Sequence, residues 1–265
     1  MAVKKIFSVI GEDERQRGAA RYLESLGYPV VGASEVYRAD YILLPLPLDP
    51  DREALAHILE AARPGALALG GKISPQVYAQ ARQAGVEILD YYDREELVVL
   101  NVVPTAEGCL EILMRELAVT LWESPILILG YGRVAQGVAQ RLAALGARVT
   151  VAARSPAARA LARSRGLEAV SMEALPGALG ENLAVVNTIP ALILTEDRLE
   201  EMKPDCLVVD LASKPGGVDL EAAARQGVRT IQALSLPARC APETAGRLVA
   251  QTVLTMLEEK GEEVL

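Results

Sequence analysis

The sequence predicts an α/β protein built from two doubly wound parallel sheets. Short apolar, often β-branched runs alternate along the whole chain with helical segments rich in Ala, Leu and Arg, which is the pattern of parallel α/β sheets. The chain has 265 residues, of which 51% are hydrophobic and 4% are aromatic. A chain of this size and composition can form two separate cores packed mainly with aliphatic side chains.

The elements follow from these runs and from the glycines and prolines between them. The predicted strands are Lys5–Ile10, Pro29–Gly32, Tyr41–Leu44, Ala66–Leu69 and Glu87–Asp90 in the first half, and Ile126–Leu129, Arg148–Ala153, Leu183–Asn187, Cys206–Asp210 and Arg229–Gln232 in the second. The predicted helices are Asp13–Leu26, Asp51–Ala62, Ser74–Ala84, Pro104–Trp122, Val134–Leu145 and Glu243–Lys260.

A glycine motif follows the first strand of the second half. The strand Ile126–Leu129 leads into Gly130-x-Gly132-x-x-Ala135 and then into a helix. In a dinucleotide fold the first glycine makes a tight turn, the second lets backbone approach a pyrophosphate, and a small third residue lets helix and strand pack closely. The β-α-β unit closes at Arg148–Ala153, within the usual ~30 residues. The motif therefore predicts a Rossmann NAD(P)-binding domain, whose loop also presents Tyr131, Arg133 and Val134 to the cofactor.

The end of the next strand indicates which dinucleotide is bound. An NAD site places an acidic residue there for the ribose hydroxyls, whereas an NADP site offers Arg to the 2′-phosphate. Here the strand ends in Arg154-Ser155, and no acidic residue lies between Ala147 and Ala160. We therefore predict NADP, with Arg159 closing the pocket from the next helix. The alternative is that Arg154 only solvates the strand end.

Two helices are expected to join the domains. The linker helix Pro104–Trp122 connects the sheets, and the last helix, Glu243–Lys260, has apolar residues at helical spacing and so must bury one face. By analogy with two-domain dehydrogenases, we expect the last helix to return to the first domain beside the linker helix, with a cleft between the sheets. The predicted domains are 1–103 with 242–265, a flavodoxin-like substrate domain, and 104–241, the Rossmann domain.

Composition excludes several classes of protein. The net charge of −8 argues against nucleic acid as a partner. Cys109, Cys206 and Cys240 are too few and too scattered for a disulfide framework or a metal site, and we expect them to be buried small apolar residues in a reducing cytosol. We expect no signal peptide, because the N-terminal residues lead directly into a strand, and we expect no apolar run to approach the ~20 residues of a membrane helix.

Polar clusters follow several predicted strands, at the sheet edge where open α/β folds bind ligands. Asp13 and Thr105 have simple alternatives as helix caps, and Glu107 as a complement to the helix dipole. We expect the segment after Leu183–Asn187 to meet a nicotinamide ring. The candidate substrate residues are Asp13, Gln16, Pro47, Asn101, Thr105 and Glu107, and further cofactor residues are Thr188, Ile189, Pro190 and Leu211.

Together these clusters resemble the A subunit of dipicolinate synthase, over nearly the whole chain and in the same order. The motifs that carry the resemblance are Gly11…Asp13…Arg15-Gln16, Pro45-x-Pro47, Gly70-Gly71-Lys72, Pro104-Thr105-Ala106-Glu107-Gly108, Gly130-Tyr131-Gly132-Arg133, Asn187-Thr188-Ile189-Pro190, Asp210-Leu-Ala-Ser-Lys214-Pro-Gly-Gly217, Ala233-Leu-Ser-Leu-Pro237 and Ala241-Pro242-x-Thr244-Ala245-Gly246. One departure is Glu12, which stands where the family usually has a second glycine.

The resemblance implies NADP-linked oxidation of a dihydrodipicolinate-type intermediate to pyridine-2,6-dicarboxylate during spore formation. It also implies a flavoprotein-like B subunit and a place in the mother-cell cytosol, and it leaves a homo-oligomer open. A planar dicarboxylate needs cationic partners, and we expect Arg15 and Lys72 from one sheet, with Lys214 from the other, to act as the catalytic set.

Two classes of function remain open. The first is an NADP-dependent oxidoreductase, and the second is a nucleotide-binding regulatory or scaffolding subunit whose partner does the chemistry. A 2-hydroxyacid dehydrogenase normally needs a histidine to move the alcohol proton. The single histidine, His57, is predicted in the middle of the helix Asp51–Ala62 as a surface or packing residue.

Overall fold

A computed structural model describes residues 4–48 and 53–262. The strands are β1 Phe7–Val9, β2 Val30–Val31, β3 Tyr41–Leu43, β4 Leu67–Gly70, β5 Glu87–Asp90, β6 Pro125–Leu129, β7 Arg148–Ala152, β8 Glu168–Val170, β9 Ala184–Asn187, β10 Leu207–Asp210 and β11 Arg229–Gln232. The helices are α1 Glu14–Ser25, α2 Glu53–Glu60, α3 Pro75–Gln83, α4 Glu95–Leu100, α5 Val102–Glu116, α6 Arg133–Ala144, α7 Pro156–Ser164, α8 Leu175–Leu179, α9 Glu196–Glu200, α10 Leu220–Gln226, α11 Leu236–Cys240 and α12 Pro242–Glu259.

The chain forms two compact units. The first runs to Asn101 and resumes at Pro237, and the second comprises Val102–Leu236. In the described residues of the first unit, five parallel strands pair in the order β2-β1-β3-β4-β5. This is the flavodoxin-like order, whose reversal between β1 and β3 opens a crevice at the carboxyl ends of those strands.

The last helix belongs to the core of the first unit. The buried residues of α12 include Leu248, Val249 and Val253, so the predicted apolar stripe is confirmed. Its partner is α1, and small residues let the two backbones approach. A Cβ at Gly246 would lie 2.3 Å from the carbonyl oxygen of Arg15, and a Cβ at Gly18 would lie 2.8 Å from that of Pro242. Only glycine fits at these two crossing points.

The second unit has the Rossmann order. Its strands pair in parallel as β11-β10-β9-β6-β7-β8, so the direction of winding reverses between β6 and β9. Both sheets confirm the predicted doubly wound α/β class. The edge strand β8 was not predicted, because it has only three residues and shows no clear alternation. Helix α4 and two short 3-10 helices, Ala33–Arg38 and Tyr91–Asp93, were also not predicted.

The linker helix differs from its predicted bounds. Helix α5 ends at Glu116 rather than at Trp122. The segment after it turns back so that Leu121 enters the core, and Glu123 adopts a left-handed φ of +58°. The ring of Trp122 then covers Gly146, where an added Cβ would lie 2.6 Å from its Cδ1 atom. Tertiary packing therefore ends the helix earlier than the local pattern suggests.

Two expectations from composition need correction. The segment Glu95–Glu116, made of α4 and α5, is long and apolar enough by length and composition to span a membrane. In the structure it is interrupted at Asn101, and α5 packs Ala106, Ile112 and Leu113 into the core of the second unit, which explains its apolar character. Cys109 and Cys206 are buried as expected, but Cys240 is exposed on the short helix α11.

Candidate functional site

The glycine loop follows β6 at the point where the winding of the second sheet reverses. Gly130 has a φ of +90°, and a Cβ there would lie 2.8 Å from Oγ1 of Thr188, so the turn requires glycine. Gly132 differs, because its backbone is extended and a Cβ there would meet no described atom within 4 Å. The fold itself gives no reason for glycine at position 132. The prediction that a pyrophosphate approaches the backbone at Gly132 is compatible with this open space.

The start of α6 has no side-chain cap. Gly132 is the N-cap residue and offers no side-chain acceptor to the first N–H groups of the helix, which therefore keep their partial positive charge. The small residue Ala135 is fully buried and lets the helix pack on the sheet. Tyr131 is buried, and its carbonyl accepts from the side-chain amide of Gln136 at 3.0 Å. Arg133 is exposed and Val134 half-buried at the same turn.

The end of β7 carries the residues predicted to select NADP. Arg154 is exposed, whereas Arg159 donates to the carbonyl oxygens of Ala153 and Arg154 at 2.7 and 2.8 Å. Both bonds come from the same guanidinium nitrogen, Nη1, and the closing of the pocket by Arg159 stays a prediction. Ser155 is the N-cap residue of α7, and its hydroxyl oxygen accepts from the N–H of Ala158 at 3.4 Å.

Buried polar side chains join the ends of β9 and β10. Asn187 donates to the Asp210 carboxylate at 2.8 Å, and both residues are buried. The same carboxylate accepts from the N–H groups of Ala212 and Gly217 at 3.1 and 3.0 Å, so it folds the loop after β10 around itself. A Cβ at Gly217 would lie 2.1 Å from Nδ2 of Asn187, so only glycine fits there. Lys214 is exposed in this loop.

The segment after β9 lies beside the glycine loop. The Thr188 hydroxyl donates to the carbonyl of Leu129 at 2.8 Å, which ties the ends of β9 and β6 together. Ile189 is half-buried and Pro190 exposed. The N–H of Leu211 donates to the carbonyl of Asn187 at 2.8 Å. This edge therefore presents backbone and apolar side chains next to Gly130, and its contact with a nicotinamide ring stays a prediction.

In the first unit, the start of α1 gathers a buried polar group. Asp13 is the N-cap residue of α1, and its carboxylate accepts from the N–H of Gln16 at 2.9 Å. Arg15 is almost fully buried and pairs with the Asp13 carboxylate at 3.1 Å, and it also donates to the carbonyl of Leu46. Gln16 donates to the carbonyl of Ile10 at 2.7 Å. Asp13, Arg15 and Gln16 are thus brought together, and each also has a structural role.

A second cationic position lies at the end of β4. Lys72 has a left-handed φ of +56°, and its ammonium lies 5.0 Å from the ring centroid of Tyr92. Tyr91 is fully buried and donates from its phenol to the carbonyl of Leu44 at 3.0 Å. Burial raises the pKa of Tyr91 well above its usual range. The sequence reasoning did not select Tyr91 or Tyr92, although their position directly after a predicted strand was a usable signal.

The other predicted substrate residues lie on separate segments of the chain. Pro47 is exposed after β3, Asn101 and Thr105 are half-buried, and Glu107 is exposed on α5. Thr105 lies inside α5, because that helix begins at Val102. The expectation for His57 is confirmed, since its side chain is 82% exposed on α2. In the described part of the chain, no group of three or more His, Cys, Asp or Glu side chains could hold a metal ion.

Fold and site together define a class: an α/β oxidoreductase-type protein with a dinucleotide-binding Rossmann unit. Residues 101–237 match the family model described as S-adenosyl-L-homocysteine hydrolase, NAD binding domain, and the chain belongs to this family of NAD-binding domains. The A subunit of dipicolinate synthase from Bacillus subtilis (strain 168) is 35% identical over 179 residues, or 68% of this chain and 60% of that protein. The chain belongs to the family of dipicolinate synthase A subunits.

Two further comparisons bear on fold and cofactor. The crystal structure of the dipicolinate synthase A subunit from Bacillus halodurans superposes with a TM-score of 0.85 at 28% identity, and the match covers 97% of this chain and 99% of that one. The NADP(+) shikimate dehydrogenase of Acidiphilium cryptum (strain JF-5) is 36% identical over 118 residues, which is 42% of this chain and 43% of that protein. This dehydrogenase and the NAD-binding family model both agree with a nicotinamide dinucleotide as cofactor.

Proposed function

We propose that this chain is the NADP-dependent A subunit of a dipicolinate synthase, which oxidises a dihydrodipicolinate-type compound to pyridine-2,6-dicarboxylate in the cytosol of a spore-forming bacterium. The observation that carries the proposal is the glycine at position 132. Its extended backbone does not need glycine, and the space beside it is open next to an uncapped helix start. A dinucleotide pyrophosphate bound at these N–H groups accounts for both facts.

The choice of NADP over NAD rests on the end of β7. A 2′-phosphate is a dianion that needs a cation, and Arg154 is exposed there with no acidic residue in its own loop. Arg159 stabilises the loop that carries Arg154, because it donates two hydrogen bonds to backbone carbonyls of that loop. The Ser155 hydroxyl accepts a hydrogen bond as a helix cap and keeps its own O–H as a donor for the phosphate.

The proposed reaction removes one hydride and one proton from the substrate ring and leaves an aromatic pyridine. Bound NADP⁺ supplies the hydride acceptor. Because aromatisation drives the reaction, the protein needs to orient the ring more than to activate it. We assign this orientation to Arg15 and Lys72 of the first unit, which bind the carboxylates, with Asn101 as a hydrogen-bonding neighbour.

A direct assay tests the proposal. The purified chain is mixed with NADP⁺ and a fresh dihydrodipicolinate solution, with and without a flavoprotein-like B subunit, and NADPH formation is followed by absorbance. Turnover by this chain, alone or with the B subunit, together with loss of turnover in Gly132→Val, supports the assignment. NADPH binding without turnover under either condition favours a nucleotide-binding regulatory or scaffolding subunit. Absence of NADPH binding contradicts both.

A further inference from the structure

The backbone turn at Lys72 is held by contacts of neighbouring residues and not by the Lys72 side chain. The residue has a left-handed φ of +56°, which costs free energy for a side chain other than glycine. The chain enters this turn from a tightly packed strand end, because a Cβ at Gly71 would lie 2.6 Å from the Tyr91 ring and 2.7 Å from the Leu46 side chain. The exposed Lys72 therefore directly follows a glycine whose backbone is packed against buried side chains.

Asp90, at the end of the neighbouring strand β5, holds the turn. Its carboxylate accepts from the N–H groups of Lys72 at 3.1 Å, Ile73 at 2.6 Å and Tyr92 at 2.7 Å. These three bonds join the residues after β4 to those after β5. One carboxylate thereby fixes both the strained backbone of Lys72 and the start of the short helix that presents the Tyr92 ring.

The Tyr92 ring then sets the direction of the Lys72 side chain. The ammonium lies 5.0 Å from the ring centroid, within the range of a cation–π interaction. Within the described part of the chain, the ammonium forms no ion pair. An aromatic face holds a cation without neutralising it, so the charge stays available for an external anion.

We propose that Tyr92 and Asp90 are positioning residues for substrate binding, which hold the Lys72 ammonium at the carboxyl edge of the first sheet for one carboxylate of a planar dicarboxylate. The inference rests on the proposed function, because it assigns Lys72 to the substrate. It adds two residues that act through Lys72 and do not touch the ligand. The Tyr92 contribution comes from its ring and not from its hydroxyl group.

Calorimetric titration of the full chain with pyridine-2,6-dicarboxylate tests this in four variants. We expect Tyr92→Phe to bind as tightly as the unmodified protein, because the ring is kept. Tyr92→Leu should weaken binding about three- to fivefold, as expected from the loss of a cation–π contact. Lys72→Met should weaken it further, and Tyr92→Leu should have no additional effect in the Lys72→Met background. In turnover, the Tyr92→Leu change should raise KM and leave kcat unchanged.

A second readout does not depend on the substrate. The lysines are dimethylated with ¹³C-labelled methyl groups, and the Lys72 signal should be displaced by the ring current of Tyr92. This displacement should persist in Tyr92→Phe and vanish in Tyr92→Leu. It should be smaller in Asp90→Ala, because the turn that holds Lys72 and Tyr92 together is then loosened. An undisplaced Lys72 signal in the dimethylated protein without substitutions overturns the inference.

The outcomes separate the inference from the proposed function. If the dicarboxylate binds and Lys72→Met weakens binding, but Tyr92→Leu does not, Lys72 keeps its assignment and the positioning role of Tyr92 is wrong. If Tyr92→Leu weakens binding equally with and without Lys72, Tyr92 acts on the fold or on the ligand directly, and the inference also fails. If neither the protein without substitutions nor any variant binds the dicarboxylate, the substrate assignment of the proposed function is wrong. The inference, which depends on that assignment, is then wrong as well.

Discussion

The side-chain amide of Asn187 donates a 2.8 Å hydrogen bond to the carboxylate of Asp210. The two residues end adjacent strands, β9 and β10, and both are buried. This bond is the centre of a network that also fixes the N–H groups of Ala212 and Gly217. The loop that carries Lys214 is therefore held by one buried carboxylate.

Removal of that carboxylate should destabilise the second unit. Asp210→Ala leaves three buried donors without their acceptor, and we expect the free energy of unfolding to fall by about 3 kcal/mol. Urea denaturation measures the change. Asp219→Ala is the matched control, because Asp219 only caps α10 and its loss should cost about 1 kcal/mol. Equal losses in the two variants would show that the network contributes no more than a cap.

Two glycines of the same region should respond in opposite ways. Gly132→Val adds its side chain to open space, so the melting temperature should stay unchanged while NADPH binding, followed by fluorescence, is lost. Gly137→Val is the contrast, because a Cβ there would lie 2.3 Å from the Val102 side chain, and this variant should be destabilised. Normal NADPH binding by a folded Gly132→Val variant would place the cofactor elsewhere.

Arg154 and Arg159 should affect cofactor choice by different routes. Arg154→Ala should lose about ten- to hundredfold in NADP(H) affinity and little in NAD(H) affinity, because a charged hydrogen bond to phosphate is worth about 1.5–3 kcal/mol. Arg159→Met should weaken both cofactors, since it frees the loop carbonyls that Arg159 holds. Calorimetry with each cofactor measures both effects. Equal NADP and NAD affinities in the unmodified protein would contradict the assignment.

Lys72 should act on the substrate and not on the cofactor. Lys72→Met is expected to lower kcat/KM for the substrate by about ten- to hundredfold, while NADP affinity stays the same. His57→Ala is the control, because this exposed histidine on α2 has no assigned role. A loss of more than tenfold in His57→Ala at unchanged stability would show that the histidine takes part in the reaction.

The buried thiols predict a loss of stability in alkali. Burial raises the pKa of Cys109 to about 12. In the unfolded chain a thiol ionises near pH 8.5, so this contribution is complete below that pH and is lost as the pH rises toward the folded pKa. Between pH 9 and 11 the free energy of unfolding should fall by about 1.4 kcal/mol per pH unit for this group. Denaturant titrations at a series of pH values measure this dependence. In Cys109→Ala the free energy of unfolding should fall less steeply with pH over the same range.

Much of the fold could be predicted because its signals are local. The alternation of strands and helices, the Gly130-x-Gly132-x-x-Ala135 motif and the apolar stripe of α12 each lie within one continuous segment, and all three appear in the structure. The prediction of His57 as a surface or packing residue followed in the same way from its place in a helix, and its side chain is exposed.

The features that sequence reasoning missed depend on contacts between distant segments. Helix α5 ends early because Leu121 and Trp122 find partners in the core and on Gly146. Arg159 binds backbone carbonyls, which no spacing rule indicates. The support of Lys72 by Asp90 and Tyr92 joins residues after two different strands, and it becomes visible only when the sheet brings β4 and β5 together.

The pairing of α1 with α12 has a consequence for synthesis on the ribosome. The second unit is one continuous stretch, so it can close as soon as Leu236 has emerged, whereas the first unit needs a helix that is translated after it. Until then, the side of α1 at Gly18, which lies against α12 in the structure, has no helix packed on it. The segment synthesised first is thus the last to reach its native packing, and a nascent chain passes through a stage with a finished nucleotide unit and an open N-terminal sheet.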